Sequence, residues 1–342
     1  MACIRHRPSI ASSVFRRQSI RSQGPPSRLF HHGLRPVPTV DSLDSILVAE
    51  FEQATNGLSQ PVVLQGPLAH SSSVPALTKW FGGSTLNQDY FYRFHDTEVS
   101  YELMSPGPVA DGQDKVPAFY KNPEFQNVIP RIPEWTHLPS DSPLRFFGFS
   151  GPLSLFVAAL NFNLNLPAKS PPMTQLYIAQ NSLSSLPDVL QQDLPIPSLI
   201  KNAGKGDIYG TSLWLGLEET YTPLHRDPNP NILLQMCSSK IVRLLAPSAG
   251  ENLFHKVQAA LGRHGSSRIR TRDMMEGPER NMLDKEVWHQ AADGFAEAHL
   301  APGSALFIPK GWWHSVRSIH SDGRLNASVN WWFRYRRPRT GI

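Results

Sequence analysis

Residues 222–245 read Thr222-Pro223-Leu224-His225-Arg226-Asp227-Pro228-Asn229-Pro230-Asn231-Ile232-Leu233-Leu234-Gln235-Met236-Cys237-Ser238-Ser239-Lys240-Ile241-Val242-Arg243-Leu244-Leu245, and the spacing of the polar residues here decides the fold. Side chains alternate between the two faces of an extended strand, so His225 and Asp227, two residues apart, point the same way. One strand can therefore offer an imidazole and a carboxylate to a single ion. Beyond Pro228-Asn229-Pro230, the runs Ile232–Met236 and Lys240–Leu245 are aliphatic and bounded by turn formers, as strands are. A third ligand stands downstream: His314, in Gly311-Trp312-Trp313-His314-Ser315-Val316, follows Asp227 by 87 residues. Two imidazoles and one carboxylate on one face of a non-haem iron leave three positions open, which oxygen chemistry requires.

The pair alone is weak. With 13 histidines in 342 residues, about one His-x-Asp arises by chance. A second copy, His320 and Asp322, lies in Ser318-Ile319-His320-Ser321-Asp322-Gly323-Arg324 and is followed by no histidine. Its Asp-Gly, between two strand-like runs, predicts a solvated hairpin turn. The first pair differs in its surroundings: Thr222 stands three residues before His225, Asn231 six after it and Lys240 fifteen after it. A dicarboxylate drawn into a barrel needs a buried cation, because an unpaired buried carboxylate is strongly penalised. Lys240 is placed to supply one.

This spacing resembles the JmjC-domain Fe(II)/2-oxoglutarate-dependent oxygenases, a cupin-like group, and within them the hydroxylase-type branch of small JmjC proteins that modify arginine or lysine residues. The resemblance runs from about residue 172 to 336. It is carried also by Gln175-Leu176-Tyr177-Ile178-Ala179-Gln180, Trp214-Leu215-Gly216, Leu224–Pro228 and Leu306-Phe307-Ile308-Pro309. It implies that His225, Asp227 and His314 bind Fe(II) and are catalytic. It implies too that Lys240, Thr222 and Tyr177 hold the far carboxylate of 2-oxoglutarate, with Asn231 and Asn330 near the metal-binding end of that co-substrate. Dioxygen is then the oxidant, ascorbate a reductant for assays in vitro, and the products are succinate, CO2 and an oxidised C–H bond. The expected substrate is a lysine or arginine side chain of a protein. Two departures stand out: Ser238-Ser239 occupies a turn where relatives usually carry glycine, and Asn330 follows the asparaginyl rather than the arginyl hydroxylase pattern. The alternatives are a methylated lysine, a tRNA base or a small metabolite under the same chemistry, and a non-catalytic cupin-type scaffold.

Working outward, seven strand-like runs recur: Ser212–Leu217, Leu224–Asp227, Ile232–Met236, Lys240–Leu245, Ser304–Pro309, Trp313–Arg317 and Leu325–Phe333. They predict a mainly β chain with flanking helices, folded as a double-stranded β-helix of the jelly-roll or cupin type over residues 172–336. In the last run Asn326, Ser328, Asn330 and Trp332 share one face and Ala327, Val329 and Trp331 the other. A hairpin at 322–323 with an odd-length loop turns Asn330 toward the metal. Trp312, Trp313, Trp331 and Trp332 are candidate cavity walls, with core packing as the alternative.

Residues 41–171 read as a mixed α/β support. Asp41 or Ser42 caps a helix carrying Leu43, Ile46, Leu47 and Phe51 and ending near Gly57, and 61–66 is a strand. Leu153–Leu160 is a core element, and the proline-rich stretches 105–108, 130–143 and 166–172 predict irregular backbone. Residues 262–297 form a charged insertion, expected to be solvated and to border the substrate entrance. His255, His264, His289 and His299 lack the triad spacing and are read as non-ligands.

Composition narrows the class. Only Cys3 and Cys237 occur, so no disulfide framework organises the chain and a reducing compartment is expected. The longest largely apolar run, Leu153–Leu160, has eight residues with Ser154 among them, well short of a membrane span. The net charge of +5 resides in residues 1–40, which hold seven arginines and no acid; without them 26 basic groups face 28 acids. This Arg- and Ser-rich leader reads as a mitochondrial presequence, the alternative being a basic tail on a nuclear or cytoplasmic protein. The near-neutral remainder offers no extended phosphate-binding footprint. The cluster Arg334–Arg339, running into a basic tail at 337–342, supports nucleic-acid binding only weakly.

Overall fold

The computed structural model describes residues 33–65, 73–105, 118–137, 144–167, 170–263, 272–290 and 294–335. The leader up to residue 32, His264 and the tail at 337–342 lie outside the described residues. In chain order the strands are β1 (Arg35–Pro36), β2 (Thr39–Val40), β3 (Val62–Leu64), β4 (Phe81–Gly82), β5 (Thr85–Leu86), β6 (Glu98–Ser105), β7 (Arg145–Pro152), β8 (Leu176–Ser182), β9 (Gly204–Leu217), β10 (Tyr221–Arg226), β11 (Asn231–Cys237), β12 (Lys240–Leu245), β13 (Ala296–Leu300), β14 (Ala305–Ile308), β15 (Trp313–Ser318) and β16 (Leu325–Tyr335).

Five strands form one sheet in the order β1-β13-β12-β15-β10, nine form a second in the order β2-β3-β14-β11-β16-β9-β8-β6-β7, and β4 pairs with β5. From β10 onward the chain passes back and forth between the two large sheets, which is the winding of a jelly roll. Each predicted strand run is present. The sequence reading missed β13 and did not resolve β6 and β7, whose residues it took for irregular support. Strands from both sides of residue 171 share the nine-stranded sheet: Tyr101 pairs with Ile178 and Leu103 with Leu176.

The hairpin expected at Asp322-Gly323 is not formed. β15 pairs with β10 and β12, whereas β16 pairs with β11 and β9, so the Asp-Gly link crosses from sheet to sheet. The link is tied down instead by Asn163, whose Nδ2 donates to Gly323 O at 2.8 Å. Gly323 has φ +75°, a conformation available to it because it lacks Cβ. Ser238-Ser239 likewise joins sheets rather than closing a hairpin.

The nine-stranded sheet has two chemically distinct faces. Leu213, Leu215, Leu217, Ile232, Leu234, Ala327, Val329, Trp331 and Phe333 point outward into the main core with Phe51, Trp80, Phe156 and Leu160. The Leu153–Leu160 run forms the greater part of the helix Leu153–Leu164, packed into this core. Alternate residues of the same strands face the other sheet and line a cavity.

The first helix spans only Val48–Ala54. Ser42 fails as its cap because its hydroxyl bonds that of Ser45, and its carbonyl closes a turn onto Ser45 N and Ile46 N. Leu43 and Ile46 are buried from that turn, and Leu47 is exposed. The described part of the charged insertion is packed along one side rather than wholly solvated: Glu276 accepts from Phe146 N at 2.6 Å and pairs with Arg145, and Met274, Met275, Leu283 and Val287 are buried.

Candidate metal and co-substrate site

His225 and His314 sit opposite one another on the antiparallel pair β10/β15, ring centroids 4.2 Å apart. Strand β10 ends at Arg226, so Asp227 is the first residue beyond the strand rather than part of it. Its carboxylate still reaches both rings: Oδ1 lies 3.9 Å from His225 Nε2 and Oδ2 lies 3.7 Å from His314 Nε2. One ligand atom from each of the three falls within 4.8 Å of the others. Each imidazole turns Nδ1 to a backbone carbonyl two residues back, Pro223 O at 2.8 Å and Trp312 O at 3.4 Å. A carbonyl only accepts, so Nδ1 carries the proton and Nε2 presents its lone pair to the shared point.

The carboxylate is oriented in turn. Asn231 Nδ2 donates to Asp227 Oδ2 at 3.1 Å and Trp332 Nε1 donates to the same oxygen at 2.8 Å. Asn330 Nδ2 donates to Asn231 Oδ1 at 2.8 Å, fixing which way that amide points. Asn330 faces the cavity as expected, but because it pairs with Leu233 of β11 and Ser212 of β9 rather than through a hairpin.

The cavity is lined by the three triad residues together with Tyr177, Thr222, Asn231, Lys240, Asn330, Gln180, Trp214, Leu233, Val316, Ser328 and Trp332. Every residue expected at the site is therefore among its walls. Lys240 is fully buried and donates to Ser328 Oγ at 2.7 Å and to Tyr177 Oη at 3.3 Å. Burial away from water pushes this amine down to about 7, against an upward pull from Glu218. Ser328, its nearest partner, was not singled out; it shares the face of β16 with Asn330 and Trp332. Of the four tryptophans expected as walls only Trp332 serves. Trp331 lies in the outer core and Trp313 is buried under the guanidinium of Arg226, while Trp312 donates to Ser59 O at 2.9 Å.

Two β-bulges make this arrangement possible. Thr222 and His225 are three apart, and regular alternation would put them on opposite faces. The pairing with β15 slips between them, Thr222 with Val316 and His225 with His314, which returns both to the cavity. On β8, Tyr177 and Gln180 are also three apart, and the pairing with β9 slips between Ile178 and Asn181, with Gln180 at φ +49°.

A profile of the cupin-like domain family matches residues 48–337, and the chain belongs to that family. The relatives it matches are named as JmjC proteins and lysine-specific demethylases. It is 31% identical over 165 residues to a lysine-specific demethylase of Arabidopsis thaliana, covering 48% of this chain and 35% of the relative. Lysine-specific demethylase 8 of Xenopus tropicalis is 31% identical over 159 residues, 46% and 32% of the two chains. Jumonji C domain-containing protein 5 of Drosophila melanogaster is 32% identical over 160 residues, 46% and 36%. The chain thus spans about a third of the length of these relatives.

Proposed function

We propose that this protein is an Fe(II)- and 2-oxoglutarate-dependent dioxygenase that hydroxylates a lysine or arginine side chain of a protein. The observation that carries the reading is one cavity holding both an open-faced His-Asp-His set and a buried lysine 2% exposed. The residues fit both groups. Three convergent donors with Nε2 lone pairs suit a divalent iron, and an ammonium bonded only to hydroxyls suits an incoming carboxylate. When bound, iron with 2-oxoglutarate and dioxygen supplies an oxidant for a C–H bond, with succinate and CO2 released.

The chain's own residues do the rest. His225, Asp227 and His314 hold the metal, with Asn231 and Trp332 fixing the carboxylate. Lys240, Tyr177 and Thr222 anchor the co-substrate's far end, so its orientation is set before substrate arrives. Trp214 and Trp332 wall the cavity and exclude water. A second pocket shares the Tyr177 wall and is lined by Glu102, Glu219 and Arg280 beside Met104, Phe146 and Met275. Two carboxylates against one guanidinium, with apolar walls, suit an aliphatic cationic side chain. The names of the plant and frog relatives favour a second reading, removal of a methyl group from lysine, which begins at the same C–H bond. The basic leader supports a mitochondrial location for either.

The test is succinate release by the full chain with Fe(II), 2-oxoglutarate and ascorbate, against His225→Ala, with lysine-, arginine- and methyl-lysine-containing peptides. Turnover lost in His225→Ala and stimulated by one peptide supports the reading. A product heavier by one oxygen atom indicates hydroxylation, and one lighter by a methylene indicates demethylation. If neither turnover nor calorimetric binding of 2-oxoglutarate with Mn(II) is seen, the oxygenase reading fails and the scaffold remains.

A further inference from the structure

Glu218, one residue past the end of β9, is fully buried, yet no part of the proposed chemistry uses it. Its Oε1 accepts from Ser238 Oγ and from Asn326 Nδ2 at 2.9 Å, and its Oε2 accepts from His320 N at 2.7 Å. All three donors are neutral, so the carboxylate has been desolvated without a cation in contact, a costly arrangement unless its charge acts on something nearby. Ser238 is the second residue before Lys240 and sits at φ +56°, a backbone conformation that favours glycine. Asn326 Nδ2 also donates to Ser239 O at 3.1 Å, and Gln235 Nε2 to Cys237 O at 2.6 Å. The link that delivers Lys240 is thus bonded to Glu218, to its partner Asn326 and to Gln235, which itself donates to Asn326 Oδ1 at 3.1 Å.

We infer that Glu218 is a positioning residue for Lys240: it grips the Ser238-Ser239 link that delivers the buried amine, and its negative charge favours the protonated form that an anionic ligand would meet. Tyr177 from β8 bonds Lys240, and Glu218 at the end of β9 acts on its charge; the residues paired or bonded to it on β13, β15 and β16 are the uncharged Leu300, Ser318 and Ser328, while His225, Asp227 and His314 line the same cavity. Glu218 also acts on Arg324, which is itself paired with Asp322. The inference rests on the oxygenase reading only in taking the ligand to be 2-oxoglutarate.

The experiment is NMR titration of the Lys240 ammonium in the full, ligand-free chain, its signal identified by its loss in Lys240→Arg. Glu218→Gln should lower the midpoint by about one pH unit, while Glu218→Asp, which keeps the charge, stays near the parent value. An unmoved midpoint in Glu218→Gln, or equal shifts in both variants, overturns the inference by reducing Glu218 to packing. Should Glu218→Gln not fold, the unmutated chain still decides: the Glu218 carboxyl carbon shift should follow the lysine with the same midpoint, and a flat signal overturns the coupling. Mn(II)-dependent binding of 2-oxoglutarate is recorded alongside and should weaken several-fold in Glu218→Gln. No binding by the parent chain would sink the oxygenase reading while leaving the lysine titration to judge Glu218 alone.

Discussion

At the residue scale, Lys240 sets stability against function. Its ordinary value is 10.5 and burial brings it to about 7 in the folded chain. Between those values the unfolded chain holds a proton that the folded chain has released, so this lysine makes stability rise with pH from about 7 to 10.5. Below that window both states are protonated and the cost of burying the charge is present in full. Lys240→Met should therefore flatten this slope and raise ligand-free stability at neutral pH by roughly 1–4 kcal/mol, by analogy with replaced buried charges. Urea unfolding at several pH values measures it, and calorimetry should show that 2-oxoglutarate binding is lost. Trp332 donates to Asp227 Oδ2 and through it would act on a bound metal. Trp332→Phe keeps the wall but removes the donor, and Mn(II) affinity should fall about 10-fold.

At the element scale, strand phase decides which residues meet. On β11, β15 and β16 the cavity residues are spaced by two: Asn231 and Leu233; His314 and Val316; Ser328, Asn330 and Trp332. These positions were legible as faces in the sequence. On β8 and β10 the spacing is three, and only the bulges bring Tyr177 with Gln180 and Thr222 with His225 onto one face. Periodicity cannot foresee a bulge, because the slip is set by the partner strand. The helix Pro247–Ala260 backs β15 at one tight point: a Cβ on Gly250 would lie 2.2 Å from Trp313 Cγ. Alanine favours a helix over glycine by about 1 kcal/mol, yet Gly250→Ala should destabilise by roughly 1–3 kcal/mol through overpacking. Because Trp313 precedes His314, metal affinity should fall with it. Thermal melts and Mn(II) titration test both.

At the scale of the whole molecule, the site depends on strands that carry none of its residues. Every candidate ligand lies between residues 177 and 332, but β8, which bears Tyr177, is held between β9 and β6. Strand β14, which pairs with β11, is covered on its other edge by β3. A fragment starting at residue 172 would expose the β8 and β14 edges and uncover Phe307, Trp331 and Phe333, which pack in the core that Phe51, Trp80 and Phe156 help to build. It should be insoluble or show no cooperative unfolding by circular dichroism, whereas residues 33–342 should melt in one transition. A soluble, Mn(II)-binding fragment would show that the barrel is self-sufficient.

The sequence by itself determined the His225/Asp227 pair, the lysine at 240 and the seven strands, because each is written in short-range spacing that extended backbone turns directly into a shared face, whereas His314, 87 residues after Asp227, joins the pair only through the pairing of β10 with β15. The tertiary structure alone decided which strands pair. Asp322-Gly323 has the local chemistry of a hairpin, but β15 and β16 each find better partners in opposite sheets, so the link crosses the barrel. It also decided that Trp331 is core while Trp332 orients Asp227, that Ser328 meets Lys240, and that Glu218 bonds Ser238, 20 residues further along the chain and two before that lysine. Those contacts join residues far apart in sequence, and no local preference encodes a distance that only packing sets.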